Sequence, residues 1–237
     1  KLEELRAASP KAFAQQYQNQ VAPEEGETFL REWFPEFDYL PEQIAFTLNS
    51  WDTAFGTGKN RSYSAGWSAA VTPDLHVYLF GLGRGQWPYP VLRENVLRQA
   101  DDIGARFVII EKRQSGQALT QELSVWRPGW QLIEWDPSTV APRTTRLDLN
   151  RRATTFLSQR RVHLPSEYYA RQHGCDWLED AKAELFAYPH GREDDVVAAL
   201  CQMVFWLIPQ LAALTGRVFE PRPMLKYESE PMRRLAV

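Results

Sequence analysis

Ile44-Ala45-Phe46-Thr47-Leu48-Asn49-Ser50-Trp51-Asp52 is the stretch on which the fold turns. Side chains along a strand point alternately to opposite faces, so Ile44, Phe46, Leu48, Ser50 and Asp52 fall on one face. A carboxylate therefore ends that face. Arg106-Phe107-Val108-Ile109-Ile110-Glu111 repeats the device, a short continuous apolar run, as expected of a buried parallel strand, that again ends in an acid. Between the two, Leu92, Val96, Ala100 and Ile103 recur at helical spacing, and Gly104 stands where a helix stops. That helix is the crossover two parallel strands require.

Outward from these runs, Tyr63 to Val71 and His76 to Gly81 read as two further strands on either side of the turn-forming Thr72-Pro73-Asp74. With the Ile44 strand they make an antiparallel meander. Beyond Glu111 the pattern predicts a helix over Ser115 to Trp126 and a strand over Gln131 to Trp135. A basic helix from about Thr144 to Arg161 follows, then closing helices around Trp177 to Phe186 and Asp195 to Leu214. No internal repeat or low-complexity tract appears. The sum is an α/β domain with a central mixed β-sheet flanked by helices.

The chain has 237 residues, 44% hydrophobic and 24% charged, which suits one large soluble domain with extensions. Residues 1–40 are expected to be a linker-like N-terminal extension whose aromatic cluster Trp33, Phe34, Phe37 and Tyr39 docks on the domain. Residues 41–215 form the domain and 216–237 a C-terminal tail. The chain opens on Lys1 without an initiator Met, so a longer parent polypeptide is expected. Val196 to Leu214 is apolar enough to raise the question of a membrane span, but Gln202, Pro209 and Gln210 interrupt it, and a buried core helix is expected. Cys175 and Cys201 lack metal-ligand spacing and no secretory signal precedes them, which predicts free thiols in a reducing cytoplasm. Trp67, Trp126, Trp135 and Trp206 sit in apolar patterns and are expected in the core, whereas Trp87 stands among turn-forming residues.

Asp52 and Glu111 each close an apolar strand, and ligands gather at the carboxyl ends of parallel strands. If the strands pair, the acids meet and repel, a situation a divalent cation relieves. Glu193-Asp194-Asp195 supplies further carboxylates at the start of an apolar helix that must pack on the sheet. Oxygen donors of this kind suit Mg²⁺ or Mn²⁺. Taken singly, a strand-end Asp is more often a turn former and an acid at a helix start more often a cap.

A net charge of −3 supplies no global attraction to nucleic acid, so any DNA contact rests on a local patch. Arg143 to Arg161 carries Arg143, Arg146, Arg151, Arg152, Arg160 and Arg161 against the single acid Asp148. Leu149, Ala153, Phe156 and Leu157 would bury one face of such a helix and leave Arg146, Arg151 and Arg152 for phosphates, with a solubilising face as the plain alternative. Gly56-Thr57-Gly58-Lys59-Asn60 imitates a phosphate loop, yet Thr53 and Asn60 stand where a glycine and a Ser or Thr are needed. Lys59 and Arg61 are instead candidates for the DNA backbone beside the acids, or part of a plain solvated loop.

Ser50-Trp51-Asp52-Thr53-Ala54, Tyr63-Ser64-Ala65-Gly66, Arg84-Gly85-Gln86-Trp87-Pro88-Tyr89-Pro90, Ile110-Glu111-Lys112 with Ser115-Gly116-Gln117, and Glu193-Asp194-Asp195 resemble, in order and content, the motifs of phage large-terminase nuclease domains. The likeness runs from about Gln15 to about Val204. It implies a ribonuclease H-like fold, consistent with the β-β-β-α-β-α-β-α order, and an endonuclease that cuts concatemeric DNA during packaging. By that match Asp52 is the shared metal ligand, Glu111 the second and Asp194 or Asp195 the third. Two ions about 3.5 to 4 Å apart, Mg²⁺ or Mn²⁺, would then drive phosphodiester hydrolysis. The resemblance also implies double-stranded DNA, an upstream packaging ATPase domain, the small terminase and portal proteins as partners, no membrane, and a host bacterial cytoplasm. Departures are Ala198, where such nucleases often carry an acid three positions after the aspartate pair, and Glu193, where a His or basic residue often precedes it. A junction resolvase, or a catalytically silent DNA-clamping or motor-docking module, is the rival reading.

Overall fold

The computed structural model describes residues 28–54, 63–112, 114–126, 129–140 and 145–214. Strands β1 (Glu36–Phe37), β2 (Phe46–Asp52), β3 (Ser64–Val71), β4 (Val77–Gly85), β5 (Phe107–Glu111), β6 (Gln131–Trp135) and β7 (Val162–Pro165) form one seven-stranded sheet in the order β1-β7-β4-β3-β2-β5-β6. The meander β2-β3-β4 is antiparallel, β5 lies parallel to β2, and β6 parallel to β5. The helices are α1 (Tyr89–Asp102), α2 (Gln114–Trp126), α3 (Pro137–Val140), α4 (Arg146–Leu157), α5 (Glu167–His173), α6 (Leu178–Ala187) and α7 (Asp195–Leu214).

Strand parity divides the core into two layers, as expected for a sheet covered on both faces. Trp51, Val108 and Ile110 point to one face and pack with Leu92, Val96 and Ala100 of α1 and Leu119 and Leu123 of α2. Phe46, Leu48 and Ile109 point to the other and pack with Leu149, Ala153, Phe156 and Leu157 of α4 and with the Val196–Leu207 stretch of α7. Asp52 and Glu111 keep the parity of Leu48 and Ile109, so both acids look toward α4 and α7. α7 is a core helix, as expected, and among the described residues no helix is long and apolar enough to cross a membrane.

Buried polar groups set where α7 lies. Ser50 Oγ donates to the Ala199 carbonyl at 2.7 Å, and Gln202 Nε2 donates to Ser50 Oγ at 2.8 Å. Unpaired, such groups would cost free energy in the core, so the bonds favour one axial and rotational setting of the helix.

The structure adds β1, β7, α3 and α5, which the periodicity did not indicate. The basic helix ends at Leu157 rather than Arg161, because Arg160 turns the chain with φ 58° and the next residues join the sheet beside β4. Val162 and Leu164 are buried there, and the Arg161 carbonyl accepts from the Val77 N–H at 2.8 Å. Phe29 and Phe34 lie in the main core, while Phe37 packs with Tyr169, Cys175 and Leu178 in a satellite cluster. Trp67 and Trp135 are core residues as expected, Trp206 packs partly buried against the core, and Trp87 meets Trp51 edge-on at 6.3 Å. Both cysteines are free and buried.

Candidate metal centre

The β2–β5 pairing aligns Trp51 with Ile110, so the next residues, Asp52 and Glu111, finish adjacent parallel strands on the same face. Both are nearly closed off, at 7% and 3% exposure. Gly116 follows Glu111 for a steric reason: a Cβ there would collide with the Glu111 carbonyl oxygen as α2 turns back over the strand end. Gly66 on β3 likewise leaves room for the Trp51 ring.

Arg146, in the first turn of α4, meets both acids. Its Nη2 donates to Asp52 Oδ2 at 2.8 Å and to Glu111 Oε2 at 3.0 Å. Burial pushes the Asp52 carboxyl well above the ordinary range. Arg146 opposes that shift, while Glu111 adds to it by its charge and by a hydrogen bond to Asp52. Burial disfavours the Arg146 charge, but Asp52 and Glu111 outweigh it and raise the guanidinium pKa. A small cleft beside Glu111 and Arg146 is bounded by Trp135, Pro137, Leu149, Asn150 and Ala198.

Asp195 opens α7, buried at 6% exposure, and Asp194 precedes it half-buried. The Asp195 carboxyl is pushed up to about 7, first by burial and then by Glu184, Asp194 and Glu193. The Asp194 carbonyl accepts from the Ala198 N–H at 2.8 Å, the backbone bond of an N-cap residue. Glu184 of α6 supplies a side-chain acceptor, taking the Val196 N–H at 2.7 Å and pairing with Arg84 Nη2, also at 2.7 Å. Burial raises the Glu184 pKa against the pull of Val196 N–H and Arg84. The buried acid at position 184 has no sequence signature, since it lies within an ordinary amphipathic helix.

Asp52 and Glu111 therefore share one cation, with Asp194 and Asp195 at the facing helix start. Among the described residues, no three His, Cys, Asp or Glu side chains come close enough to hold one ion together. The donor set still fits Mg²⁺ or Mn²⁺, which take oxygen ligands and commonly use only one or two carboxylates with water. Arg146, expected at a DNA-facing surface, instead points into the acids, while Arg151 and Arg152 are exposed on α4. Lys59, Arg61 and the Gly56–Asn60 loop lie outside the described residues. His190 is exposed.

An antiparallel three-stranded meander extended by two parallel strands, with carboxylates at the ends of its first and fourth members, makes a mixed α/β sheet of the kind expected for a ribonuclease H-like domain. Solved structures similar to the chain include the large terminase nuclease from thermophilic phage G20c with bound magnesium, at 17% identity over 73% of this chain and 90% of that one, TM-score 0.48. The human cytomegalovirus terminase nuclease domain is similar at 11% identity over 76% and 89% of the two chains, TM-score 0.41. T. thermophilus RuvC in complex with a Holliday junction substrate is similar at 10% identity over 72% and 96%, TM-score 0.39. No family model and no curated protein matches the sequence. The fold class rests on strand order and parity.

Proposed function

We propose that this chain is a metal-dependent endodeoxyribonuclease, the nuclease domain of a phage-type large terminase. The carrying observation is the convergence of Asp52 and Glu111 on a single cation at the ends of adjacent parallel strands. Asp52 would be the shared ligand, Glu111 the second, and Asp195 the third, with Asp194 beside it. Two bound Mg²⁺ or Mn²⁺ ions would supply an activated water and stabilise the leaving 3′ oxygen. The chain's own residues would do the holding: β2 and β5 carry two carboxylates at adjacent strand ends, and α7, tied to β2 through Ser50, would supply the third. Arg151 and Arg152 bind phosphates of double-stranded DNA without reading sequence. The resemblance in motifs extends the proposal to packaging of concatemeric viral DNA in the host cytoplasm. An upstream packaging ATPase domain, the small terminase and the portal protein would then be partners.

A second reading, a catalytically silent DNA-clamping or motor-docking module, is favoured by Ala198 and by the guanidinium that already pairs with both acids. Nicking of supercoiled plasmid separates the two. The nuclease reading expects cleavage that needs Mn²⁺ or Mg²⁺ and that Asp52→Asn abolishes with the circular dichroism spectrum unchanged. Wild-type nicking by that variant, or none by the native chain, would falsify it. Preference for four-way junctions over linear duplex would move the assignment to a resolvase.

A further inference from the structure

We infer that Arg146 and a divalent cation are alternative counter-ions of the Asp52–Glu111 pair, so that metal loading displaces the Arg146 guanidinium. The inference rests on the reading of these two acids as metal ligands. Arg146 Nη2 donates to Asp52 Oδ2 and Glu111 Oε2 together, at 2.8 and 3.0 Å. A cation held by the same two carboxylates would compete with the guanidinium for their charge.

Three features make the guanidinium an exchangeable partner. First, it carries one charge against two carboxylates, whereas a divalent ion matches them. Second, Arg146 occupies the first turn of α4, behind the Thr145 cap, where the positive end of the helix dipole disfavours a cation. The acids offset that cost only while they face it. Third, the Arg146 side chain retains 27% exposure against 10% and 3% for its partners. It can withdraw toward water without crossing the core. Ala198 contributes to the same balance, because the methyl group lining the adjoining cleft leaves Arg146 without an acid at that position.

The test is Mn²⁺ binding by isothermal titration to the full 237-residue chain and to its Arg146→Gln and Arg146→Lys variants, with melting curves in EDTA and in Mn²⁺. Losing a competitor held by two charge-assisted hydrogen bonds should tighten Mn²⁺ binding about tenfold or more in Arg146→Gln. It should also lower the melting temperature in EDTA and enlarge the rise produced by Mn²⁺. Arg146→Lys, whose ammonium is a single point of charge, should fall between. If Arg146→Gln does not fold in EDTA, folding restored by Mn²⁺ is the expected result, and the lysine variant then carries the affinity comparison. Mn²⁺ binding by the native chain with equal or weaker affinity in both variants overturns the exchange alone. Absence of Mn²⁺ binding in all three chains overturns the metal-ligand reading and the exchange with it.

Discussion

The Trp67 indole N–H donates to the Val196 carbonyl at 3.0 Å, joining strand β3 to the first turn of α7, immediately after Asp195. The helix start that carries the aspartates is therefore held from below by Trp67 and from the side by Glu184, which accepts the Val196 N–H. Asp195 is presented by a fixed turn rather than by a loop.

That arrangement separates the two aspartates. Since Glu184 already accepts from Val196 N–H, Asp194→Ala should lower stability by no more than about 1 kcal/mol, the usual value of a cap, and should spare much of the nuclease activity. Asp195→Ala should remove the activity and raise the melting temperature in EDTA at pH 8 by relieving buried repulsion. Nicking assays and thermal melts on the two single variants check this; a fully active Asp195→Ala beside an inactive Asp194→Ala would reverse the roles.

The raised Asp195 pKa has a definite sign in stability. The folded chain holds that proton up to about pH 7 while the unfolded chain releases it near 3.8, so between those values the native state binds more protons. The Asp195 contribution to stability in EDTA should therefore fall as pH rises through this window, with Asp52, shifted in the same direction, adding to it and His163, lowered by burial to about 4, opposing it. Asp195→Asn should flatten the curve, whereas Mn²⁺ affinity of the native chain should climb across pH 7 because the ion needs the ionised acid. A melting-temperature difference between the native chain and Asp195→Asn that does not fall from pH 5 to 8 in EDTA contradicts the assignment.

Arg151 and Arg152 stand exposed on α4, clear of the acids that engage Arg146. Replacing both with Gln should weaken duplex DNA binding and reduce the slope of log K against log salt by roughly 2, about 0.9 for each lost phosphate contact. Mn²⁺ affinity should stay as it was. An unchanged salt slope would turn this helix face away from DNA.

Gly116 offers a purely steric test. Gly116→Ala forces a methyl group into the Glu111 carbonyl and should cost about 1–3 kcal/mol by overpacking, with loss of metal affinity as Glu111 shifts. Gly129→Ala is the control, since a Cβ there meets nothing within 4 Å, and it should stay within about 0.5 kcal/mol of the native chain. Equal stability of the two variants would show that the α2 turn has slack.

Alternation, continuous apolar runs and helical spacing made β2 to β6 and helices α1, α2, α4, α6 and α7 readable, because each carries enough apolar side chains to pack in one of the two layers. Asp52 and Glu111 were readable as acids ending such faces. β7 was not, as Val162-His163-Leu164-Pro165 is four residues long and includes a proline, and its strand character comes from the β4 edge beside it. Nor could charge pattern reveal that Arg146 turns inward while Arg151 and Arg152 face water. A run of arginines looks uniform until the sheet supplies two carboxylates to one of them. Glu184 stayed hidden for the same reason, since its partners Arg84 and Val196 are remote in sequence.

Trp51 and Asp52 are neighbours in β2 with opposite obligations, the indole filling the layer under α1 and α2 and the carboxylate facing α4 and α7. Deleting or inserting one residue upstream in the strand would exchange them, driving a bulky ring against Arg146 and an acid into an apolar layer. Substitutions along β2 can be absorbed one at a time, but a change in its length cannot. Lineages of this chain should therefore vary in the composition of the strand while keeping its residue count, with insertions and deletions confined to the connections outside it.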